Sequence, residues 1–249
     1  MNTAALLDVQ GLHKRFGGVI ATDGVDLQVR AGEVHALIGP NGAGKTTLVA
    51  QLAGQLAPDG GRIVFDGRDI TRSSAHQRAR LGLARSFQIT RLFASFGVLE
   101  HIALALQAGS GGSTGAWRPV AREAALFERA RALLPRLGLD AHAEAPIDTL
   151  SHGQRRALEV GMAIASGPRL LLLDEPMAGL GADESPRMEA LIHDLRHDAA
   201  LLLIEHDVDA VFRLADRVSV LVGGRIIASG PPVEVRRDAQ VIAAYLGQE

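Results

Sequence analysis

The chain of 249 residues contains no cysteine, which excludes disulfide bonds, thiolate metal sites and cysteine-based catalysis. Aromatic residues make up only 4% of the sequence, and Lys14 and Lys45 are its only lysines, so arginine carries nearly all of the positive charge. The formal net charge is -2, so the chain lacks the basic balance typical of nucleic-acid-binding proteins. We therefore expect no nucleic-acid partner, and the lack of thiols fits a cytosolic protein.

Long apolar runs are also missing. Runs such as those at residues 170–173 and 199–204 are far shorter than the roughly 20 residues that a membrane-spanning helix requires. The first ten residues lack a charged stretch followed by an apolar one, so we expect no signal peptide. We predict that the chain does not itself cross a membrane.

Short apolar patterns predict strands at both ends of the chain. Val25, Leu27 and Val29 alternate with polar residues, which is the period of a half-buried strand. The pattern repeats at Ile63 and Phe65. Runs that are wholly or mostly apolar, at 34–38, 170–173, 201–204 and 218–222, are typical of buried strands.

The middle of the chain has helical spacing from about residue 98 to 165. One predicted helix face is formed by Phe127, Ala130, Leu134 and Leu137. A Gly-rich segment at 109–119 interrupts this region as a loop. Helical spacing returns at 188–195, between two apolar runs. Strands alternating with helices predict an α/β fold with a mainly parallel sheet.

The segment GPNGAGKTT fits the pattern G-x-x-x-x-G-K-[ST] with no residue out of place. It follows a predicted strand and precedes a predicted helix, so its backbone N–H groups can form a phosphate-binding cradle. We predict that Lys45 reaches the β- and γ-phosphates of ATP and that the Thr46 hydroxyl binds Mg²⁺. The predicted ATP-binding residues of this loop are Gly39, Pro40, Asn41, Gly42, Ala43, Gly44, Lys45, Thr46 and Thr47.

Acidic residues follow the apolar run at 170–173. Asp174 and Glu175 would lie at the carboxyl end of a buried strand, where open α/β sheets bind ligands. Asp174 would hold Mg²⁺ through its water shell, and Glu175 would act as general base on the attacking water. The alternative is that both acids simply cap a helix.

His206 follows the run at 201–204 and reaches the same predicted edge of the sheet. A neutral imidazole there can donate a hydrogen bond to the γ-phosphate and hold the attacking water. A lone histidine after a strand is more often structural. Its position after two phosphate motifs favours the catalytic interpretation.

The order of motifs resembles the nucleotide-binding subunits of ABC transporters over nearly the whole chain. The phosphate loop is followed by RSFQ, LSHGQ, LLLLDEP and IEHD, in that order. The resemblance implies a single α/β domain over residues 1–249. It would have a P-loop NTPase (RecA-like) core, an N-terminal antiparallel β subdomain and an inserted α-helical subdomain. The catalytic lobe would cover 1–91 and 166–249, and the helical subdomain 92–165.

LSHGQ resembles the family signature, which implies that Ser151, His152, Gly153 and Gln154 contact the γ-phosphate of ATP bound to the opposite subunit. Ser151 and Gln154 also have capping-box spacing. A plain helix cap is therefore the alternative, and both roles are compatible. His152 replaces the usual glycine.

The resemblance assigns three further positions. Gln88 matches the glutamine that reaches Mg²⁺ and the attacking water, and Phe16 matches the aromatic residue that stacks on adenine. Alternatively, Phe16 is a partly buried aromatic at a strand end. Gly181 stands where the family has the D-loop aspartate, and Asp183 is not equivalent to it.

Several segments resemble one branch of the family, the ATPases for branched-chain amino acid uptake: KRFGG, RSFQITRLF, IEHD and the ending AYLGQE. The resemblance implies the first of two ATPase types and an importer with a second ABC ATPase subunit (a paralogue or a second copy). The importer would also contain two membrane permeases and a solute-binding protein. The permeases would dock near Arg91, Leu92 and Phe93. The chain would lie at the cytoplasmic face of the inner membrane.

Other transport systems and other functions stay open. Related importers carry urea, amides or other amino acids. The lipopolysaccharide-export ATPase has a similar size but normally has LSGGE and DHN where this chain has LSHGQ and IEHD. A soluble ABC ATPase acting on nucleic acid would usually have two such domains or basic insertions. An inactive scaffold would not be expected to keep Lys45, Asp174, Glu175 and His206.

Overall fold

The computed structural model describes residues 5–86, 92–93, 95–109 and 124–246. Within them lie two sheets and nine α-helices. The strands are β1 (Ala5–Phe16), β2 (Val19–Arg30), β3 (Val34–Ile38), β4 (Gly60–Phe65), β5 (Arg68–Asp69), β6 (Leu83–Arg85), β7 (Leu170–Asp174), β8 (Ala200–Ile204), β9 (Arg217–Val222) and β10 (Arg225–Gly230). The helices are α1 (Lys45–Leu52), α2 (Ala75–Arg80), α3 (Val98–Gly109), α4 (Ala124–Leu137), α5 (His152–Ala165), α6 (Ser185–Leu195), α7 (Val208–Leu214), α8 (Pro232–Val235) and α9 (Ala239–Leu246).

The larger sheet has six strands in the order β10-β9-β3-β8-β7-β6. All neighbouring pairs are parallel except β10 with β9. Every residue of β3, β7 and β8 is buried, because both faces of this sheet are covered. That double coverage explains why these strands are mostly apolar along their length and do not alternate with polar residues. The predicted parallel sheet is confirmed.

Side chains of the parallel strands alternate between two hydrophobic clusters, as the period of a strand requires. Leu171 and Leu173 of β7 join one cluster with residues of helices α3 to α7. Leu170 and Leu172 join the other, which includes α1 and the smaller sheet. The sheet therefore holds the carboxyl ends of β3, β7 and β8 in a fixed relation between two packed layers.

The smaller sheet is antiparallel, in the order β2-β1-β4-β5. It confirms the N-terminal antiparallel β subdomain. The sequence pattern indicated only part of β2 and β4, and no alternation marked β1, although one interpretation of Phe16 placed that residue at a strand end, where β1 does end. Register shifts between Val9 and Leu12, and again on either side of Lys14, break the alternation of β1, which hides the strand from pattern analysis.

The helical insertion lies between β6 and β7 and includes α3, α4 and α5. Ala130, Leu134 and Leu137 of α4 are buried as predicted, and Phe127 packs partly buried beside them. α5 approaches so closely that a Cβ at Gly161 would lie 2.3 Å from Leu137 Cδ1. The inserted helical part is confirmed, whereas its exact limits at 92 and 165 stay a prediction.

Candidate nucleotide-binding site

The GPNGAGKTT loop connects the buried end of β3 to the start of α1, and Lys45 is the first residue of that helix. Gly42 and Gly44 have φ angles of 77° and 104°, which favour glycine strongly. Gly44 is also the N-cap of α1 and provides no side-chain cap. The unpaired N–H groups at the start of the helix therefore suit an anionic ligand.

Glycine has a second role in this loop, which the sequence pattern did not reveal. A Cβ at Gly39 would lie 2.1 Å from the carbonyl oxygen of Leu221 in β9, and one at Gly44 would lie 2.1 Å from that of Ala21 in β2. The loop is therefore clamped between two neighbouring strands. Its shape is fixed by the fold before any ligand arrives, which lowers the entropic cost of binding.

Lys45 turns back over its own loop. Its Nζ donates hydrogen bonds to the carbonyl oxygens of Gly39 at 2.5 Å and Pro40 at 3.1 Å. Partial burial lowers the pKa of Lys45, while the charges of Glu175 and Asp174 act in the opposite direction. Lys45, the predicted phosphate-binding residue, thus faces the predicted acidic pair of Asp174 and Glu175.

Asp174 ends β7 and is 4% exposed, and Glu175 follows it. Glu175 has a φ angle of 48°, one of two non-glycine residues with positive φ among those described. Such a backbone costs free energy and persists only where its surroundings enforce it. Here the Glu175 N–H donates to the Ile204 carbonyl at 2.9 Å, and the Glu175 carbonyl accepts from Arg156 Nη2 at 2.7 Å.

His206 lies beside this acidic pair, as the sequence predicted. Its Nδ1 is 3.8 Å from Glu175 Oε1, and its side chain is 60% exposed. The neighbouring Glu205 is buried and accepts hydrogen bonds from the N–H groups of Met177 at 2.8 Å and His206 at 3.2 Å. Burial raises the pKa of Glu205. Glu205 therefore ties the turn after β7 to the turn after β8.

Sequence reasoning missed two arginines of this site. Arg85, at the end of β6, donates from Nη2 to Asp174 Oδ2 at 2.6 Å and from Nη1 to Gln55 Oε1 at 2.5 Å. Arg156 of α5 reaches the backbone carbonyl of Glu175. Neither residue belongs to a local pattern that marks phosphate sites, so no sequence signal could have found them. Together they position the acidic pair from two sides.

The signature segment begins α5, as predicted. Ser151 is the N-cap, and its side chain and that of Gln154 form both bonds of a capping box. His152 Nε2 lies 3.3 Å from the carbonyl oxygen of Ala178. A further contact that the sequence did not indicate joins Ser151 Oγ to Glu184 Oε1 at 2.8 Å. The predicted helix cap is confirmed, and the contact with a second subunit stays a prediction.

Phe16 ends β1 with half of its surface exposed. Lys14 Nζ lies 5.5 Å from the centre of its ring, and the exposed side chains of Val19 and Ile20 follow across the turn. Packing therefore leaves the ring open, as the adenine-stacking interpretation requires. Gln88 and Arg91 lie outside the described residues, whereas Leu92 and Phe93 lie within them.

We expect Phe16→Ala to weaken ATP and GTP binding alike, by about 5- to 150-fold, because aromatic stacking on a base contributes roughly 1–3 kcal/mol and tolerates any base. Phe16→Tyr should stay within about threefold of the original because it keeps the ring. Titration of each purified variant with a fluorescent nucleotide measures the effect. Unchanged affinity in Phe16→Ala would return Phe16 to a packing role.

A phosphate loop between a parallel strand and a helix, facing two carboxylates and a histidine at the same edge of a sheet, defines the class: a P-loop nucleoside triphosphatase. The comparisons give the family. Residues 22–178 match the family model described as "ABC transporter", and residues 225–249 match the one described as "Branched-chain amino acid ATP-binding cassette transporter". The chain belongs to the ATP-binding subunits of ABC transporters, which are ATPases that power transport.

Individual relatives agree with this assignment over full length. The chain is 40% identical to the high-affinity branched-chain amino acid transport ATP-binding protein LivG of Salmonella typhimurium, covering 98% of both chains. It is also 40% identical to BraF of Pseudomonas aeruginosa, with the same coverage. A solved ABC transporter cassette in its ADP conformation matches with a TM-score of 0.87 and 30% identity, over 99% of this chain and 100% of that one.

Proposed function

We propose that the chain hydrolyses ATP to drive an importer of branched-chain amino acids. The observation that carries this proposal is the match of residues 225–249 to the model named for that transporter class, combined with full-length similarity to LivG and BraF. No helix among the described residues is long and apolar enough to cross a membrane. As an ATP-binding subunit of an ABC transporter, the chain would act at the cytoplasmic face of the inner membrane through partner subunits.

The proposed Mg²⁺ site uses Thr46, Asp174 and Gln88. No group of three or more acidic, histidine or cysteine side chains suited to a metal ion occurs in the described part of the chain. Mg²⁺ takes few protein ligands and keeps water and phosphate oxygens, so Thr46, Asp174 and Gln88 are enough to hold it. Bound Mg²⁺ would neutralise charge on the phosphates. Thr46 is exposed on the first turn of α1, and Arg85 orients Asp174.

Glu175 is the proposed general base, and His206 the residue that holds the attacking water. Their 3.8 Å separation lets one water molecule or the γ-phosphate engage both groups. The strained backbone of Glu175, held by Arg156 and the Ile204 carbonyl, fixes the direction of its side chain. This pre-organisation supports the catalytic interpretation over a simple helix cap.

Two ATPase subunits would complete each site. The phosphate loop lies on the catalytic lobe, whereas Ser151, His152, Gly153 and Gln154 begin a helix of the insertion. ATP held by one subunit would accept hydrogen bonds from the signature of the other, and hydrolysis would release them. The second subunit is either a paralogue or another copy of this chain.

The proposed permease dock is an apolar groove between α2, β6, α3 and α5 with a volume of about 340 Å³. Small side chains line it, among them Ala53, Ala79, Ala84, Ala105, Ala108 and Ala163. The groove reaches Ser86, two residues before Gln88. Its shape and polarity suit a short amphipathic helix of a membrane partner. Its position would couple that partner to Gln88, the glutamine proposed to reach Mg²⁺ and the attacking water.

We expect Ala108→Arg to prevent recovery of the permeases with the chain, because a large cation would fill the apolar groove and lose solvation on docking. Nucleotide binding by the isolated chain should stay unchanged. Ala125→Arg, at an exposed position of α4 outside the groove, is the matched control. Permeases recovered equally with both variants would place the dock elsewhere.

Two alternative functions are also compatible with an ABC ATPase: export of lipopolysaccharide, and a role outside membrane transport. A lipopolysaccharide-export ATPase would bind export permeases, and a soluble ABC ATPase would bind no membrane protein. LSHGQ and IEHD favour the importer over the first, and the net charge of -2 does not favour nucleic acid.

Affinity purification of tagged Glu175→Gln from native membranes with ATP, followed by mass spectrometry, tests the proposed function. Recovery of two permeases, a second ATPase and a solute-binding protein is the expected result. Export permeases, or no membrane protein at all, would overturn the proposed task and leave the ATPase assignment intact.

A further inference from the structure

Two hydrogen-bond donors at the start of α5, the Ser151 hydroxyl and the Gly153 N–H, already have an acceptor within the chain. Ser151 Oγ donates to Glu184 Oε1 at 2.8 Å, and the Gly153 N–H donates to the same oxygen at 3.1 Å. Ser151 and Gly153 are the two signature residues whose donors the proposed γ-phosphate contact requires. Glu184 lies 33 residues from Ser151 in sequence, at the N-cap of α6.

The other oxygen of this carboxylate is anchored as well. Glu184 Oε2 accepts a hydrogen bond from the Gly181 N–H at 3.3 Å. The Ser151 hydroxyl, followed by the Gly181 N–H, holds the pKa of Glu184 below its usual range. The carboxylate is thus a charged group resting between the signature and the turn that precedes α6.

The carboxylate fits tightly against the backbone of the signature. A Cβ added at Gly153 would lie 2.5 Å from Glu184 Cδ and 2.6 Å from Oε1. Only glycine at this position admits the contact. Glu184 therefore occupies the place at the start of α5 where an external anion would bind.

We propose that Glu184 is an internal competitor of the γ-phosphate: its carboxylate occupies the signature donors and must leave before ATP on the opposite subunit can engage them. This inference rests on the proposed trans role of the signature. A subunit with Glu184 in place cannot complete the site, so the contact raises the ATP concentration needed for closure. The device would keep the pair open at low ATP.

The test uses the whole transporter, purified from membranes through a tag on this chain, and measures the ATP concentration that gives half-maximal ATPase activity. We expect Glu184→Ala to lower this half-saturating ATP concentration by about threefold or more, because no subunits remain in which the carboxylate occupies the signature donors. Glu184→Gln, which keeps size and an acceptor oxygen but no charge, should lower it less. The inhibition constant of ADP should not change, because ADP has no γ-phosphate.

Asp183→Ala is the matched control. Asp183 is exposed on the same turn, and among the described residues it has no hydrogen bond to the signature. Equal half-saturating ATP in Glu184→Ala and the unaltered complex would overturn the inference, and so would an equal shift in Asp183→Ala. A matching change in ADP inhibition would place the effect at the phosphate loop and contradict it too.

Gly153→Asp separates this inference from the proposed function. If the signature acts in trans, this variant should lose ATPase activity, since it places a fixed carboxylate at the contact point. Full ATPase activity in Gly153→Asp would contradict the proposed contact of the signature with ATP on the opposite subunit. It would also contradict the competition by Glu184, which depends on that contact. An inactive Gly153→Asp beside an unshifted Glu184→Ala would keep the trans role and refute the competition alone.

Discussion

We expect Glu175→Gln to bind MgATP normally and to hydrolyse it about 10²- to 10⁴-fold more slowly, the range that a general base contributes. The amide keeps the size of the side chain and the positive φ of 48° can persist, so the fold should be unchanged. What is lost is the group that accepts a proton from the attacking water. With hydrolysis blocked, the subunits should remain closed around ATP.

Two measurements check this result: phosphate release for the rate, and sedimentation velocity with ATP or ADP for the closed pair, with the partner ATPase present. Glu128→Gln is the matched control, since Glu128 is exposed on α4 and remote from the phosphate loop in sequence. Hydrolysis within about threefold of the unaltered protein would remove Glu175 from the role of general base.

The second large effect is expected for Lys45→Met, which should raise the dissociation constant for ATP by about 30-fold to several thousand-fold. Removing one partner of a desolvated, hydrogen-bonded charge pair costs roughly 2–5 kcal/mol. Met keeps the length of the chain while deleting the ammonium group. The loop should stay folded, because Gly39 and Gly44 remain clamped by Leu221 and Ala21.

Isothermal titration calorimetry with ATP measures this loss. Lys45→Arg should weaken binding less than Lys45→Met, because it keeps the charge but places a planar group in a loop shaped for an ammonium. Arg80→Met deletes an exposed charge on α2 and should leave ATP binding unchanged. Near-normal affinity in Lys45→Met would contradict the assignment of the phosphate loop.

The sequence predicted the parts of the site that depend on local patterns. The glycines and Lys45 form a contiguous motif, and Asp174 ends a run of leucines whose burial on both faces follows from composition alone. The capping box of Ser151 and Gln154 is equally local. In each case the physical cause lies within a few residues of the effect.

The parts that escaped prediction depend on contacts between distant segments. Arg85 meets Asp174 across 89 residues of sequence, and Glu184 meets Ser151 across 33. Those pairs exist because β6 lies beside β7 and because α6 begins near the start of α5, and periodicity does not specify side-chain contacts between elements. The course of strand β1 was not predicted for another reason, since its register shifts disrupt the alternation that marks a strand.

ATP-driven solute uptake tests the central claim most directly. Membrane vesicles carrying the complete transporter would be loaded with ATP, supplied with the solute-binding protein, and assayed with labelled leucine, isoleucine, valine and urea. The account predicts uptake of the three amino acids with the unaltered chain and none with Glu175→Gln. Uptake that persists in Glu175→Gln, or ATP-driven uptake restricted to urea, would contradict it.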